Sequence, residues 1–548
     1  MNRFAALLDR LAYEPGRNNK LRLLGEYFRA AVDPDRGYAL AAMTGALSFP
    51  NAKSALVRGL IAERTDPVLF GLSYDYVGDL SETVALMWPA RPGANAVPTL
   101  SEVVDRLSLC AKLDLPGQVA RWLDVLDETG RWALLKLLTG SLRIGVSARL
   151  AKTAVAQLGG LEANAVEEVW HGLSPPYIEL FAWAEGRGPR PEARDPAPFR
   201  TPMLAHALED RDFEALAPAE FRAEWKWDGI RVQAVTGLDA AGVRVTRLYS
   251  RTGEDVSPAF PDLMEAFAAA AFGEAAIDGE LLVVRDERVQ SFGVLQQRLN
   301  RKAASAKLLA EHPAHIRAYD LLSLEGEDLR GLPFAERRRR LEAFVQRAGL
   351  SRFDLSPLLP FESWEALTLA RADPAGALAG EDADAIEGVM LKRADSFYVP
   401  GRPKGLWYKW KRDPHAIDAV LMYAQRGHGK RSSFYSDYTF GVWRAKDGAD
   451  ELVPVGKAYF GFTDEELAQL DKYVRNNTIK AYGPVREVTA SAEAGLVLEI
   501  AFEGLNRSIR HKSGVAMRFP RVARIRWDKP ARDADRLETL TRLLKAEG

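Results

Sequence analysis

Cysteine is nearly absent: Cys110 is the only one in 548 residues. That excludes a disulfide framework and any zinc module built from several cysteines. Histidine is scarce as well, and His171, His206, His312, His315, His415, His428 and His511 are scattered. Only His312 and His315 lie close together, and Pro313 breaks the helical spacing that a metal pair there would need. Net charge is almost missing, since 74 basic and 75 acidic residues leave −1. No global positive field attracts a polyanion, so any such site has to be local. No apolar run reaches the roughly 18 residues that span a bilayer. Arg3, Asp9 and Arg10 spoil a secretory signal at the start. The expectation is a cytoplasmic, reducing compartment with no membrane. No internal repeat is detectable.

What is present is bulk. At about 150 residues per domain the length suggests three or four domains, and 47% hydrophobic residues with 12 tryptophans suffice for several cores. Residues 1–195 read as all-helical. Leu21, Leu24, Phe28 and Val32 recur at helical spacing, 118–128 and 148–158 carry similar patterns, and 130–138 runs into Gly140, a candidate C-cap. The Pro-, Gly- and Arg-rich stretch 186–202 reads as a linker. Residues 203–412 alternate β-branched runs (230–236, 243–249, 276–284, 386–392) with helices at 258–271 and 333–347, which predicts an α+β domain around antiparallel sheets. Residues 413–548 hold strand-like runs at 417–424, 438–444, 452–459 and 496–502, a helix at 463–475 and a closing helix. About five short strands with an interposed helix suit a small β-barrel of the oligonucleotide-binding (OB) type.

The most informative string is Glu224-Trp225-Lys226-Trp227-Asp228-Gly229-Ile230-Arg231. A lysine at a strand end, followed by an Asp-Gly turn, can project into a cleft from a rigid backbone. To act as a nucleophile it must be neutral, and nearby cations such as Arg231, with partial burial, would lower its pKa. Alone the string is weak: Lys-x-Asp-Gly arises by chance in roughly one chain in ten of this length. The plain alternative is a solvated lysine beside a hairpin.

Further strings follow in order: Ser250-Arg251-Thr252-Gly253, Asp278-Gly279-Glu280, Tyr319-Asp320, Glu387-Gly388-Val389-Met390-Leu391-Lys392, Trp407-Tyr408-Lys409-Trp410-Lys411 and Arg518-Phe519-Pro520-Arg521. Seven short strings in this order resemble the covalent nucleotidyltransferases, and specifically the ATP-dependent DNA ligases. Leu138 to Val146, with Arg143, is similar to the helical DNA-binding domain of archaeal and eukaryotic-type ligases.

The resemblance implies a helical DNA-binding domain (1–195), an adenylation domain (203–412) and an OB-fold domain (413–548). It implies that Lys226 attacks the α-phosphorus of ATP and becomes a lysyl-AMP. AMP then passes to the 5′-phosphate of a nick in duplex DNA, and the 3′-hydroxyl displaces it. Lys409 and Lys411, two apart on a strand, are expected on one face holding the α-phosphate. Glu280 is implied at the ribose, and with Glu387 at Mg²⁺. Tyr319 is implied to stack on adenine, Glu224 to lie at the adenine edge, Arg251 to contact ribose or nick, and Arg231 to line the nucleotide site. The family usually has an arginine six residues before Lys409. Here that position is Pro403, leaving Arg402 or Lys404 as substitute. Arg518 and Arg521 are implied to orient the pyrophosphate leaving group, after which the barrel swings about Lys411–Pro414.

DNA contact is expected from local charge. Residues 505–530 carry Arg507, Arg510, Lys512, Arg518, Arg521, Arg524, Arg526 and Lys529 against Asp528 alone, a local +7. Residues 401–412 add five basic residues and no acid. Arg143, Arg149 and Lys152 are candidate backbone contacts in the helical segment. The expected protein is a monomer encircling nicked duplex, in a class that serves DNA replication, repair and recombination. RNA ligases and RNA-capping guanylyltransferases share the lysine chemistry, but the large helical segment and the Arg-Phe-Pro-Arg string favour DNA ligase. A non-catalytic nick-binding scaffold is the rival of another class, and the intact Lys226, Glu280, Glu387, Lys409 and Lys411 argue against it.

Overall fold

The computed structural model describes the chain except residues 50, 78, 90–96, 141, 193–194, 271, 300–304, 350, 427–433, 447, 484, 509–510 and 547–548. Ser141, His428 and Arg510 therefore lie outside the described residues. The chain divides into two compact units. One comprises Met1–Val166, Leu173–Pro191 and Pro414–Gly548; the other comprises Glu167–Gly172 and Glu192–Asp413. Residues 167–172, within the helical segment of the sequence, thus group with the second unit.

In the first unit the amino-terminal part is built of helices whose ends are written into the sequence. Asn2–Tyr13 buries Phe4, Leu7, Leu8 and Leu11, the i, i+3, i+4, i+7 stripe of a helix packed on one side. Thr99 and Glu102 form a capping box at the start of Leu100–Leu109. Asp127 caps Glu128–Thr139, and Gly140 ends that helix in the left-handed region at φ 66°, as its position implied. The expected stripe through Val32 stops short: Arg17–Ala30 ends two residues earlier, and Val32 is exposed.

Among its described residues the strand-rich part of this unit holds seven hydrogen-bonded strands, all antiparallel: His415–Arg426, Tyr435–Lys446, Ala449–Ala458, Thr478–Tyr482, Val485–Val488, Val497–Phe502 and Arg521–Arg526. A separate two-stranded ribbon pairs Gly504–Arg507 with Val515–Arg518. Alternate residues such as Tyr438, Phe440 and Val442 point into a core shared with Leu470 and Val474 of the interposed helix Asp464–Asn477. More strands form than the sequence pattern displayed. Thr478–Tyr482 is largely exposed, so it lacks the apolar alternation that reveals a half-buried strand.

The second unit carries two sheets. The smaller runs in the order His206–Ala207, Trp407–Lys411, Ile386–Arg393, Phe221–Trp227, Leu358–Leu359. The larger has Arg244–Ser250, Ile230–Leu238, Ala275–Arg285, Ala314–Leu324 and Glu327–Asp328 as its spine. Among the described residues of this unit strand pairing is antiparallel apart from His206–Ala207 on the Lys409 strand and Phe353–Leu355 on Ala314–Leu324, and an isolated bridge between Met203 and Gly401 is parallel as well. Asp228-Gly229 corrects the hairpin reading. Phe221–Trp227 and Ile230–Leu238 do not pair with each other; the turn carries the chain from one sheet to the other. Gly229 is required there because a Cβ would sit 2.6 Å from the Leu281 carbonyl oxygen and 2.7 Å from Glu280 Cγ. Among the described residues no helix is long and apolar enough to cross a membrane.

Candidate active site

Strand register assembles the site. In antiparallel pairs, residues directly opposite each other share a face. Gly388 opposes both Lys226 and Lys411, and Met390 opposes both Glu224 and Lys409. Two neighbouring rows therefore place Lys226, Lys411, Glu224 and Lys409 on one face of the smaller sheet. Gly388 has φ 148°, and a Cβ there would lie 2.3 Å from the Trp410 carbonyl oxygen. Only glycine fits between the two lysine strands.

The residue before it, Glu387, sits at a register shift that frees its side chain from the alternation. Its carboxylate accepts a hydrogen bond from Lys226 Nζ, and its other oxygen lies 3.0 Å from Lys411 Nζ. Burial pushes its pKa up, yet Lys226 and Lys411 overcome that and hold it below the usual range. Lys409 is shifted down, first by burial and then by Lys226, Lys411 and Arg402. Arg402 is exposed but close enough to Lys409 to add to this cationic cluster.

The larger sheet supplies the remaining groups. Glu280 opposes Arg231 on one side and Arg317 on the other. Burial pushes its pKa up to about 8, with Glu387 and Asp228 adding to the rise and Lys226 and Arg231 opposing it. Arg231, expected beside Lys226, is committed elsewhere: it donates to Asp278 at 2.6 Å, to the Met203 carbonyl at 2.6 Å and to the Tyr398 hydroxyl at 3.0 Å. Burial works against its charge, but Asp278, Tyr319 and Tyr398 hold its pKa well above the ordinary value. The cations facing Lys226 are instead Lys409 and Lys411.

Tyr319 falls where the register shifts between Asp278–Asp320 and Gly279–Ala318, and such a bulge re-aims a side chain. Lys392 Nζ lies 4.5 Å from the centre of its ring. Glu224 is 2% exposed, and its carboxylate is paired with Lys392 at 2.8 Å and Arg338 at 3.2 Å. Arg251 is exposed in the turn after Arg244–Ser250. Arg143, Arg518 and Arg521 belong to the unit that does not contain Lys226. Arg143 is exposed with φ 42°, and Arg518 and Arg521 flank the turn through Phe519, whose φ is 48°.

Two charge expectations change. Lys152 is buried and cannot be a surface contact. Arg526 and Lys529 pair with Asp418, and Arg526 also with Asp528, so the local +7 is partly neutralised by an acid outside that stretch. Sequence reading passed over Arg338, Arg317 and Tyr398. Arg338 lies in an arginine-rich helix, Phe334–Ala348, where only its burial distinguishes it from its exposed neighbour Arg339.

Among the described residues no group of three or more acidic, histidine or cysteine side chains could hold a metal. The donor set nevertheless fits Mg²⁺, which is commonly bound by one or two carboxylates together with substrate phosphates. Glu280 is a half-buried carboxylate whose raised pKa marks too little compensating positive charge, and Glu387 is the second hard-oxygen donor.

Comparison with known proteins bears on the same residues. Residues 202–411 match the ATP dependent DNA ligase domain, and residues 431–529 match the ATP dependent DNA ligase C terminal region. A probable DNA ligase from Koribacter versatilis is 31% identical, the alignment covering all of this chain and 97% of that protein. DNA ligase 1 of Korarchaeum cryptofilum is 28% identical over all of this chain and 98% of its own length. The solved structure Pmar-Lig_Pre shares the fold, with a TM-score of 0.58 at 15% identity, over 96% of this chain and 99% of its own. A glycine-spaced lysine face, a half-buried carboxylate within electrostatic reach of it and full-length kinship lead to one conclusion: the chain belongs to the ATP-dependent DNA ligases.

Proposed function

We propose that Lys226 is the residue adenylated by ATP, and that the chain seals nicks in duplex DNA. The observation that carries this is the placement of Lys226, Lys409 and Lys411 on one sheet face around Glu387, near Glu280. A triphosphate needs a nucleophile, cations for its oxygens and water-poor surroundings. Lys226 Nζ attacks the α-phosphorus: the N–P bond forms, the bond to the bridging oxygen breaks, and pyrophosphate leaves. Glu387 Oε1, already hydrogen-bonded to Nζ, is the acceptor in reach of the proton that must depart. Lys409 and Lys411 neutralise the α-phosphate, with Arg402 at their edge. Tyr319 carries the adenine, Arg231 fixes the Tyr319–Asp278 wall, and Arg251 meets ribose or nick. Mg²⁺, held by Glu280 and Glu387, would supply positive charge to the phosphate oxygens.

In this reading residues 1–195 bind DNA, with Arg143 at the backbone; 203–412 adenylate; and 413–548 present Arg518 and Arg521 to the leaving pyrophosphate. The unit boundary at Asp413/Pro414 falls inside the expected pivot Lys411–Pro414. Joining then requires AMP transfer to the 5′-phosphate and attack by the 3′-hydroxyl. The protein acts as a monomer around nicked duplex, reading backbone rather than bases.

The test is a chase. The chain is incubated with α-labelled ATP and Mg²⁺, then given nicked duplex DNA. Label is expected first on protein, then on the 5′-end, then in released AMP. Lys226→Ala is expected to abolish labelling and joining while duplex binding survives; undiminished sealing by that variant refutes the assignment.

A further inference from the structure

Glu387 sits at a register shift between Ile386 and Gly388, so ladder alternation does not aim its side chain. What delivers it to Lys226 is the turn before its strand, Gly380–Ala385. That turn is tied down at two points. The Ala385 carbonyl accepts from the Asp228 N–H at 2.7 Å, immediately after the Lys226 strand. Asp382 accepts from the Val289 N–H at 2.8 Å with one oxygen and from Arg317 Nη1 at 3.1 Å with the other. Arg317 belongs to the larger sheet, on Ala314–Leu324. Its side chain is 11% exposed, and its other edge is taken by Asp354, which accepts from Nε at 3.0 Å and from Nη2 at 2.8 Å. The guanidinium carbon also lies over the Trp227 ring, 4.3 Å from its centre. Trp227 adjoins Lys226 in sequence, is buried, and donates from Nε1 to Ser356 Oγ at 3.0 Å.

One cation therefore joins the larger sheet to the residue beside Lys226 and to the turn that launches Glu387. It does so with its fork and its flat face at once, a combination that a lysine cannot reproduce. We infer that Arg317 is a positioning residue for AMP transfer to Lys226: by clamping Asp382 and Trp227 together it keeps the Glu387 carboxylate against Lys226 Nζ. This rests on the reading of Lys226 as the adenylated residue and of Glu387 as the acceptor of its proton. Without the clamp, Lys409, Lys411 and Arg402 still meet the triphosphate, so ATP binding persists. The Asp382 turn and Trp227 are then free to part, and the acceptor drifts from the amine. A misplacement of about 1 Å between reacting groups costs as much as a hundredfold in rate. Sealing a nick that already carries 5′-AMP forms no bond to Lys226 and calls on no such acceptor.

The experiment follows two reactions of the full chain with Mg²⁺: AMP uptake from α-labelled ATP, and sealing of a nick that already carries 5′-AMP. Arg317→Ala is expected to lower kcat for uptake about tenfold or more, with KM for ATP and the rate of sealing both within about twofold of wild type. The truncation leaves a slot between Trp227, Asp354 and Asp382. Guanidinium chloride at a non-denaturing concentration is expected to recover uptake several-fold there, and sodium chloride at the same ionic strength to recover none. Arg317→Lys keeps the charge without the fork or the flat face and is expected to stay slow. Asp382→Asn leaves the Asp354 pair and the Trp227 stack in place. It is expected to show the same split between uptake and sealing, so the question is decided even if Arg317→Ala does not fold. A parallel fall in uptake and sealing makes Arg317 an ion pair that only holds the fold and overturns the inference. Uptake at the wild-type rate, or a loss confined to KM, overturns it as well. A wild-type chain that takes no label on Lys226 overturns the underlying reading instead.

Discussion

Glu280→Gln offers the sharpest physical test of the site, because it separates stability from activity. Burial drives the Glu280 pKa from the ordinary 4.5 to about 8. The folded chain thus holds a proton that the unfolded chain has already released across that interval. The folded state binds more protons, so stability falls as pH rises from about 4.5 through about 8 and is flat outside that window. The displacement corresponds to an upper bound of about 5 kcal/mol at alkaline pH, reduced by whatever water reaches the partly exposed side chain. Gln keeps the shape and removes the titration. In urea unfolding with chelator present, wild type and Glu280→Gln are expected to differ little near pH 5. The variant should then gain on wild type by several kcal/mol near pH 9, about 2–4 °C in Tm for each kcal/mol in a unit of this size. The same variant is expected to lose AMP uptake. Adding Mg²⁺ is expected to flatten the wild-type slope and leave the variant unmoved. Parallel pH profiles for the two chains would refute the account of Glu280 as an undercompensated, desolvated carboxylate.

Gly388→Ala places a Cβ 2.3 Å from the Trp410 oxygen at a backbone angle that L-residues avoid. A loss of about 2 kcal/mol or more is expected by urea unfolding, with AMP uptake abolished; a fully stable, active variant contradicts the register argument. Arg371 donates to the Lys411 carbonyl at 2.6 Å, pairs with Asp413 and stacks on Trp410. Arg371→Met is therefore expected to slow AMP uptake about tenfold by loosening the Lys411 strand, without weakening duplex binding in a mobility-shift assay. Arg518→Ala with Arg521→Ala is expected to lower AMP uptake from ATP by about a hundredfold or more, while a nick that already carries 5′-AMP is still sealed. Equal losses in both assays would place these arginines elsewhere in the reaction.

The helix ends and much of the strand inventory were legible because local chemistry sets them. Gly140 at a C-cap, the helix read at 463–475 and the apolar alternation of Tyr438, Phe440 and Val442 need no distant partner. Thr478–Tyr482 was illegible because it is stabilised by pairing with Val485–Val488 rather than by a buried face of its own. The turn at Asp228-Gly229 was legible as a turn, but its role as a crossing between sheets was not, since a dipeptide carries no record of its strands' partners.

The site divides the same way. Lysines two apart on one strand must share a face, so Lys409 and Lys411 were paired by sequence spacing alone. That Glu387 bridges Lys226 and Lys411 depends on a register shift between strands about 160 residues apart, and the commitment of Arg231 to Asp278 and Tyr398 depends on burial. Spacing along a chain determines which side chains a single element presents. Which charge meets which, and which is dried enough for its pKa to move, is decided only when separate elements close over one another, because Coulomb energy depends on distance through space and on the water excluded between the groups.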